Sequence, residues 1–347
     1  MIFDSDTPPT ADIAKYYESL AAYWHPVMPS SELTVDSPRK ATLLGRDIVL
    51  ARLDGAVSAF RDLCRHFQAR LSDGTIESFV HQDGRNCSVL RCKYHGWAYG
   101  ADGDCVEIPQ LNRCGIPPKA ASAETYHVQE RHGLIWVCLT TPVTGIPEFP
   151  ECEADGMVST RIKSGSVWTC SLPRMILSAL DDYHFAWLHD GLLGTRDDAE
   201  PPARKISKLE NQLISEFVVD QPANVTNAGS DLVEDVSRVD YRMIVDMPNI
   251  LRLVKRSYAG TYVVFFFPAP ESFNSTRLFF RVVRDYDVSS HDETRILSFE
   301  ALVQSMDAPI VSNQRPWLQA PFPIKGADDV LMEYRDWCAQ LSIPLTV

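Results

Sequence analysis

The stretch Cys92-Lys93-Tyr94-His95-Gly96-Trp97, together with Cys64-Arg65-His66 upstream of it, decides what this chain can fold around. Each segment offers one thiolate and one imidazole at short spacing, so four ligands from two loops can meet at one centre. Finger-type zinc sites keep their cysteines together and their histidines together, which differs from this arrangement. One of each per loop suits a two-iron cluster in which one iron takes both thiolates and the other takes both imidazoles. Structural zinc is the alternative interpretation.

A second set of possible ligands follows in the segment Leu180-Asp181-Asp182-Tyr183-His184-Phe185-Ala186-Trp187-Leu188-His189. The apolar pattern from Leu177 to Leu188 predicts a helix, on which Asp181 and His184 lie about 60° apart. His184 and His189 would lie about 140° apart on the same helix. Both histidines can therefore face one metal only if the helix ends there or contains a π-bulge. The alternative is that they are ordinary polar residues on a half-buried helix.

Taken together, the two segments resemble the oxygenase (α) component of the Rieske non-haem iron oxygenases, and the similarity covers nearly the whole chain. The family's motifs are Cys-x-His with Cys-x-x-His-Gly-Trp for the cluster, and Asp-x-x-His-x4-His for a mononuclear iron. The resemblance implies that the ligands of a [2Fe-2S] cluster are Cys64, His66, Cys92 and His95. It also implies that His184, His189 and a later carboxylate bind Fe(II) and leave coordination sites open for O2.

The third iron ligand is expected in the segment from Asp307 to Gln314, which resembles the family's Asp-x-x-Ile/Val-x-x-x-Gln pattern and points to Asp307. Glu300, earlier on the same helix face, is the second candidate.

The sequence departs from the family's pattern at two positions beside the metal-binding motifs. Phe67 follows the first cluster histidine where arginine is usual, and Ser178 stands where the family has asparagine.

The resemblance also implies a route for electrons. In the family, head-to-tail homotrimers bring the cluster of one chain beside the iron of its neighbour, so Asp181 would bridge between His184 and His95 of the partner subunit. The chain has no Gly-x-Gly-x-x-Gly dinucleotide motif, so electrons from NAD(P)H are expected to arrive through a separate reductase, with or without a ferredoxin. Five basic residues lie near the cluster loops in the sequence, and they are Arg65, Arg70, Arg85, Arg91 and Lys93. They form either a docking surface for an acidic electron donor or an ordinary solvated surface.

The pattern of elements predicts an α+β protein. Short β segments run from Thr42 to Leu139, residues 79–86 are expected to form an extra hairpin, and prolines from Pro142 to Pro150 indicate a domain boundary. Strands that include Tyr262 to Phe267 follow, and then helices from Glu293 to Gln314 and near the C-terminus. The expected domains are an N-terminal helix over 1–23 that packs on the catalytic domain, a small all-β Rieske domain over 24–145, and a catalytic domain over 146–347 with a curved antiparallel sheet covered by helices, in a helix-grip-like arrangement.

Bulk composition limits the possible functions. The 347 residues, 45% of them hydrophobic, are enough for two or three domains. A net charge of −13 argues against nucleic-acid binding. Membrane spans need about 20 apolar residues in a row, and the sequence has no such run. Nine cysteines are too few for a disulfide scaffold, and the N-terminus lacks a signal-peptide pattern, so a cytoplasmic location is expected.

The substrate is the least defined part of the prediction. Length and motifs resemble the α-only group of the family, which implies hydroxylation or oxidative O- or N-demethylation of a small aromatic or heterocyclic molecule. A Rieske electron-transfer protein without mononuclear iron, or a binding module with structural zinc, is the alternative. The residues expected to form the substrate pocket are Trp187, Leu188, Leu192, Asn249, Leu251, Phe265 and Phe267.

Overall fold

The chain forms two compact units. The computed structural model describes residues 8–81, 83–111, 117–229, 235–315 and 322–345. We call Leu20–Gly145 the N-terminal unit, and the described parts of Met1–Ser19 and Ile146–Val347 the C-terminal unit. The division after residues 23 and 145 that the sequence predicts lies close to these bounds.

Helix α1 (Thr10–Leu20) lies within the segment 1–23 in which the sequence predicts an N-terminal helix. All of this helix except Leu20 belongs to the C-terminal unit. The fully buried Tyr16 hydroxyl accepts a hydrogen bond from the backbone N–H of Leu172 at 3.2 Å. This contact fixes the first helix to the unit that carries the later part of the chain.

The described residues of the N-terminal unit form ten strands, and they are β1 (His25–Pro29), β2 (Arg39–Leu43), β3 (Arg46–Leu53), β4 (Ala56–Arg61), β5 (Thr75–Val80), β6 (Asn86–Arg91), β7 (Ala98–Tyr99), β8 (Cys105–Glu107), β9 (His127–Arg131) and β10 (Leu134–Cys138). They form three antiparallel sheets with the orders β1-β10-β9, β2-β3-β4 and β5-β6-β7-β8. Asp54 and Gly55 both have positive φ and close the β3–β4 hairpin. The expected extra hairpin over 79–86 is the tip of β5–β6, where Phe79 pairs with Cys87.

As far as the structure describes it, the C-terminal unit contains eight strands and three α-helices after α1, and these are β11 (Val158–Ser159), β12 (Lys163–Trp168), α2 (Leu172–Leu180), β13 (Arg204–Leu209), β14 (Gln212–Pro222), β15 (Val236–Asp246), β16 (Ile250–Ser257), β17 (Gly260–Ser272), β18 (Ser275–Arg284), α3 (Ser290–Ser312) and α4 (Asp329–Gln340). The strands form one antiparallel sheet with the order β11-β18-β17-β16-β15-β14-β13, and β12 also pairs with β18. Helix α2 packs on β16, β17 and β18, and α3 packs on β12. The α+β prediction is confirmed.

Local sequence explains where α3 begins. Ser289 and Asp292 form a capping box, in which each side chain accepts a hydrogen bond from the other residue's backbone N–H. The helix extends to Ser312, close to the predicted end at Gln314. Asp307, the expected third iron ligand, lies in the last turns of this helix. No helix in the described parts of the chain is long and apolar enough to cross a membrane.

The predicted helix over Leu177 to Leu188 is wrong in its second half. Helix α2 ends at Leu180, and Asp181 adopts an extended conformation with φ −77° and ψ 126°. The Asp181 carboxylate accepts a hydrogen bond from the backbone N–H of Tyr183 at 2.9 Å, which is the local turn that aspartate offers in competition with a helix. A short 3-10 helix, Tyr183–Ala186, follows.

Candidate metal centres and substrate cavity

Two loops with the same backbone design carry the cysteine and histidine motifs. In each loop the cysteine N–H donates to the carbonyl five residues later, and the cysteine carbonyl accepts from the N–H four residues later. The N–H groups that donate back belong to Gln68 in the first loop and Gly96 in the second, and both residues have positive φ. The loops therefore present Cys64 and Cys92 in equivalent positions. Gly96 is confined further, because a Cβ there would lie 3.1 Å from the Pro109 ring.

The four side chains of these loops make a paired donor set. Nδ1 of His66 and Nδ1 of His95 lie 3.1 Å apart, a separation that suits two nitrogens bound about 2.1 Å from one metal. Cys64 and Cys92 are buried beneath them. Burial raises the pKa of the Cys64 thiol, and the nearby Cys92 sulfur adds to that increase. A cation beside the buried Cys64 sulfur would favour its thiolate, which fits a cluster in which sulfur and imidazole bind different irons.

A second donor set lies in the C-terminal unit. Nε2 of His189 is 3.0 Å from Oδ1 of Asp307, and Nε2 of His184 is 3.6 Å from the same oxygen. One ligand atom from each of these three residues lies within 4.8 Å of the other two. The end of α2 makes this possible, because the turn at Asp181 removes the 140° separation that a continuous helix would impose on the two histidines.

The donor chemistry of this set fits Fe(II). Two imidazoles and one carboxylate on one side of a metal are the facial triad that leaves other positions open. Nδ1 of His184 lies 3.4 Å from Oδ2 of Asp181, so a carboxylate orients the ring from behind. Burial lowers the pKa of His184, but Asp181 and Asp307 outweigh it and raise the pKa overall. Nδ1 of the buried His189 has no hydrogen-bond partner among the described residues.

A cavity opens beside these three ligands. Its walls come from α2, β16, β17, β18 and α3 and are mainly apolar, with lining side chains that include Met175, Ile176, Leu253, Phe266, Leu278 and Val303. Three buried polar side chains, Lys255, Glu300 and Gln304, also line it. An apolar cavity with a few polar groups is the usual form of a small-molecule site.

None of the seven predicted pocket residues lines this cavity. The seven are Trp187, Leu188, Leu192, Asn249, Leu251, Phe265 and Phe267. Neighbouring residues of a strand face opposite sides of the sheet. Phe266 therefore lines the cavity, whereas Phe265 and Phe267 pack against Phe149 with ring centroids 5.2 and 5.6 Å away. Trp187 is 62% exposed. The prediction chose the wrong face of β17.

Sequence reasoning missed the polar part of the cavity, although one signal was present. Lys255 follows Leu251 and Leu253 at alternate positions of β16, and cross-strand pairing puts these three residues on the same side as Tyr262 and Phe266. A lysine on an inward-facing row of apolar residues indicates a buried charge. Glu300 was considered only as a metal ligand, and its Oε1 instead accepts a hydrogen bond from the Tyr262 hydroxyl at 3.0 Å.

Comparison with known proteins identifies the domains that carry the two donor sets. Residues 23–127 match the Rieske [2Fe-2S] domain, and residues 168–342 match the vanillate O-demethylase oxygenase C-terminal domain. Two Pseudomonas putida proteins, methylxanthine N1-demethylase NdmA and methylxanthine N3-demethylase NdmB, are 29% and 26% identical over 93% of this chain and 90% of their own length. The solved structure of NdmA with caffeine superposes with a TM-score of 0.79 at 28% identity, covering 94% of this chain and 92% of that one.

The fold and the two donor sets define a Rieske non-haem iron oxygenase. More narrowly, the chain belongs to the family that joins a Rieske [2Fe-2S] domain to the vanillate O-demethylase oxygenase C-terminal domain. The prediction of an oxygenase component is confirmed. A pure electron-transfer protein or a zinc-stabilised binding module is not favoured, because half of the chain matches the oxygenase domain.

Proposed function

We propose that this protein removes a methyl group oxidatively from a small aromatic or heterocyclic substrate. The observation that carries the proposal is the convergence of His184, His189 and Asp307 beside a mainly apolar cavity. Relatives over nearly the full length are N-demethylases of methylxanthines, which supports demethylation over simple hydroxylation. The balanced reaction takes the methylated substrate, O2, two electrons and two protons to the demethylated product, formaldehyde and water.

In this proposal His184, His189 and Asp307 hold the mononuclear iron, which when bound supplies the O2 chemistry. The apolar walls around Phe266 and Leu278 exclude bulk water and bind the substrate's ring by burial. Asp181 keeps the His184 ring in position through its Nδ1. Cys64, His66, Cys92 and His95 hold the [2Fe-2S] cluster, as the 3.1 Å separation of the two Nδ1 atoms supports.

Electrons come from NAD(P)H through a separate reductase, with or without a ferredoxin. The absence of a dinucleotide motif from the sequence supports an external source. The basic residues around the cluster loops give less support to the docking of an acidic electron donor than the sequence suggests. Arg85 pairs with Asp83, and Arg91 pairs with Glu77 and Glu107, so part of the positive charge is neutralised.

We further propose that the working form is a homotrimer in which Asp181 connects His184 to His95 of the partner subunit. The side chain of Asp181 is 29% exposed and its Oδ2 is shared only with His184 among the described residues, which leaves this carboxylate able to accept another imidazole N–H. The eight free cysteines of the described chain support a reducing, cytoplasmic location.

The test uses the purified holoenzyme with a surrogate reductase and NADH. Oxygen uptake and formaldehyde release are measured across methoxy-aromatics, N-methyl heterocycles and their non-methylated analogues. We expect about three irons per chain and formaldehyde in step with O2 for methylated compounds alone. Hydroxylated products without formaldehyde would contradict demethylation. An Asp307→Ala enzyme should release none, whereas the exposed Asp336→Ala control should match the parent.

A further inference from the structure

Three polar side chains are buried in the lining of the iron cavity and have no role as metal ligands. Lys255, Glu300 and Gln304 are only 3%, 4% and 6% exposed. Burying an ammonium or a carboxylate costs several kcal/mol unless a partner offsets it. A cavity that needed only to hold an apolar ring would be lined by apolar side chains throughout. The placement of these groups therefore indicates what the cavity binds.

Lys255 keeps most of its hydrogen-bonding capacity free for a ligand. Its ammonium donates to the Thr226 hydroxyl at 3.0 Å and lies 5.5 and 5.7 Å from the ring centroids of Tyr241 and Tyr262. No carboxylate of the described residues lies within the 4.0 Å of an ion pair with it. Since an ammonium has three donors, two remain for an acceptor in the cavity.

Glu300 and Gln304 offer complementary groups one turn apart on α3. Residues four apart lie on the same helix face, and Asp307 follows on the next turn. Oε1 of Glu300 accepts from the Tyr262 hydroxyl, and an ionised carboxylate can accept further hydrogen bonds through its other oxygen. The buried Nε2 of Gln304 has no acceptor among the described residues. The cavity thus presents donors and an acceptor close to the iron ligands.

We propose that Lys255, Glu300 and Gln304 recognise an uncharged heterocycle with ring carbonyls next to a ring N–H, and that they disfavour aromatic carboxylates. Lys255 and Gln304 donate to the carbonyl oxygens, and Glu300 accepts from the ring N–H. The carboxylate group of an aromatic carboxylate has no proton to give Glu300, and its negative charge is repelled by an ionised Glu300 in a low-dielectric cavity. The inference rests on the proposed function only in taking this cavity as the substrate site.

A second cavity supports the same preference. It shares Phe185 and Leu193 with the iron cavity as a common wall and is lined on its outer side by acidic residues that include Asp198 and Glu200. Carboxylates outnumber basic side chains in its lining, so this neighbouring cavity is acidic. Such a surface repels anions and leaves uncharged molecules unaffected.

Binding to the oxidised holoenzyme without a reductase tests this, because no turnover then occurs. The probes for calorimetry are theobromine, which has an imide N–H between two ring carbonyls; caffeine, in which that N–H is methylated; and vanillate, an aromatic carboxylate. We expect theobromine to bind about tenfold more tightly than caffeine, since a hydrogen bond to a charged group is lost in caffeine. Vanillate should bind at least about tenfold more weakly than theobromine.

Variants assign the preference to residues. Glu300→Gln should reduce the ratio of the caffeine and theobromine Kd values to about threefold or less, and Lys255→Met should weaken both ligands about tenfold without changing the ratio. Lys205→Met, at an exposed position of β13, is the matched control and should bind like the parent. The ratio is measured within one preparation, so a partly unfolded variant does not alter it.

Three results would overturn the inference: vanillate bound as tightly as theobromine, an unchanged ratio in Glu300→Gln, or no theobromine binding at about 1 mM. These results are separate from those that test demethylation. If vanillate bound tightly and released formaldehyde, the proposed recognition of an uncharged heterocycle would be wrong and the proposed demethylation would be supported. If the Kd values followed the expected pattern but no methylated compound released formaldehyde, the proposed recognition would be supported and the proposed demethylation would be wrong.

Discussion

Asp181 shows how much a single carboxylate does in this protein. One of its oxygens ends helix α2 by accepting the Tyr183 N–H, and the other lies 3.4 Å from Nδ1 of His184. The first contact lets two histidines turn toward one metal, and the second orients one of them. Local structure and metal chemistry therefore depend on the same side chain.

Replacing Asp181 by asparagine should separate these two contributions. Asparagine keeps the turn but cannot accept an imidazole N–H as a charged group, so both metal sites should stay filled while electron transfer slows by about 10- to 100-fold. Rapid mixing of the reduced enzyme with O2 and substrate measures the rate from the cluster's absorbance. Asp240→Asn, at an exposed position of β15, is the control. An unchanged rate in Asp181→Asn would refute the bridging role.

The third iron ligand has a direct test at the same scale. Removing the Asp307 carboxylate should lower the iron content from about three to about two atoms per chain, because the cluster has its own ligands. The protein should stay brown-red and keep its acid-labile sulfide. Glu300→Gln should retain all three irons, since Glu300 bonds to Tyr262. If Glu300→Gln lost the mononuclear iron and Asp307→Ala kept it, Glu300 rather than Asp307 would be the third iron ligand.

Single residues also show what sequence alone can reach. The spacing of Cys64, His66, Cys92 and His95 is local within each loop, so the pattern predicts these residues as ligands before any fold is known. The approach of Asp307 to His189, 118 positions apart, depends on tertiary packing that spacing cannot give. Lys255 was overlooked for a related reason, because its burial is a property of the whole sheet.

At the scale of elements, strand β17 separates stability from substrate binding. Phe265 points away from the cavity and stacks with Phe267 against Phe149, whereas Phe266 lines the cavity. The sequence predicts this strand correctly from its aromatic and β-branched residues but not which face is inward. Both faces are apolar, so the alternation that usually identifies the buried side is absent.

Adjacent substitutions in β17 should therefore have different effects. Phe265→Ala should lower the free energy of unfolding by about 3–5 kcal/mol and leave the Kd of the substrate close to that of the parent. Phe266→Ala should weaken substrate binding about tenfold or more, since it removes part of the apolar wall. Urea unfolding and calorimetry measure the two quantities, and each variant is the control for the other. Equal effects on Kd would contradict the assignment of faces.

The cluster loops allow a second test at this scale. Gly96 combines a φ of 76° with a Cβ position 3.1 Å from Pro109, so Gly96→Ala should strain the second loop and lower cluster content. Gln68 occupies the equivalent position with a φ of 57°, and Gln68→Gly should leave the cluster intact. Visible absorbance per chain measures both. A full cluster in Gly96→Ala would show that the loop tolerates the change.

At the scale of the whole molecule, the two units divide the chemistry between them. The residues proposed to bind the cluster lie in Leu20–Gly145, and those proposed to bind the iron lie in the unit that contains Ile146–Val347. The sequence predicts this division because each motif stands within one unit and a proline-marked stretch lies between them. It cannot predict how chains assemble, since an interface depends on surface shape rather than on a local pattern.

Electron transfer between chains, rather than within one, follows from the proposed head-to-tail trimer and has a decisive test. Cys92→Ser should lack the cluster, and Asp307→Ala should lack the mononuclear iron, so neither homo-oligomer should release formaldehyde. When the two variants are co-expressed in equal amounts, they form mixed oligomers. About a quarter of the head-to-tail interfaces in these oligomers then place an intact cluster beside an intact mononuclear iron. Activity should therefore recover to about a quarter of the parent value. Mixing the separately purified variants is the control for subunit exchange. If electrons stay within each chain, co-expression recovers nothing, provided that Cys92→Ser alone retains its mononuclear iron by metal analysis.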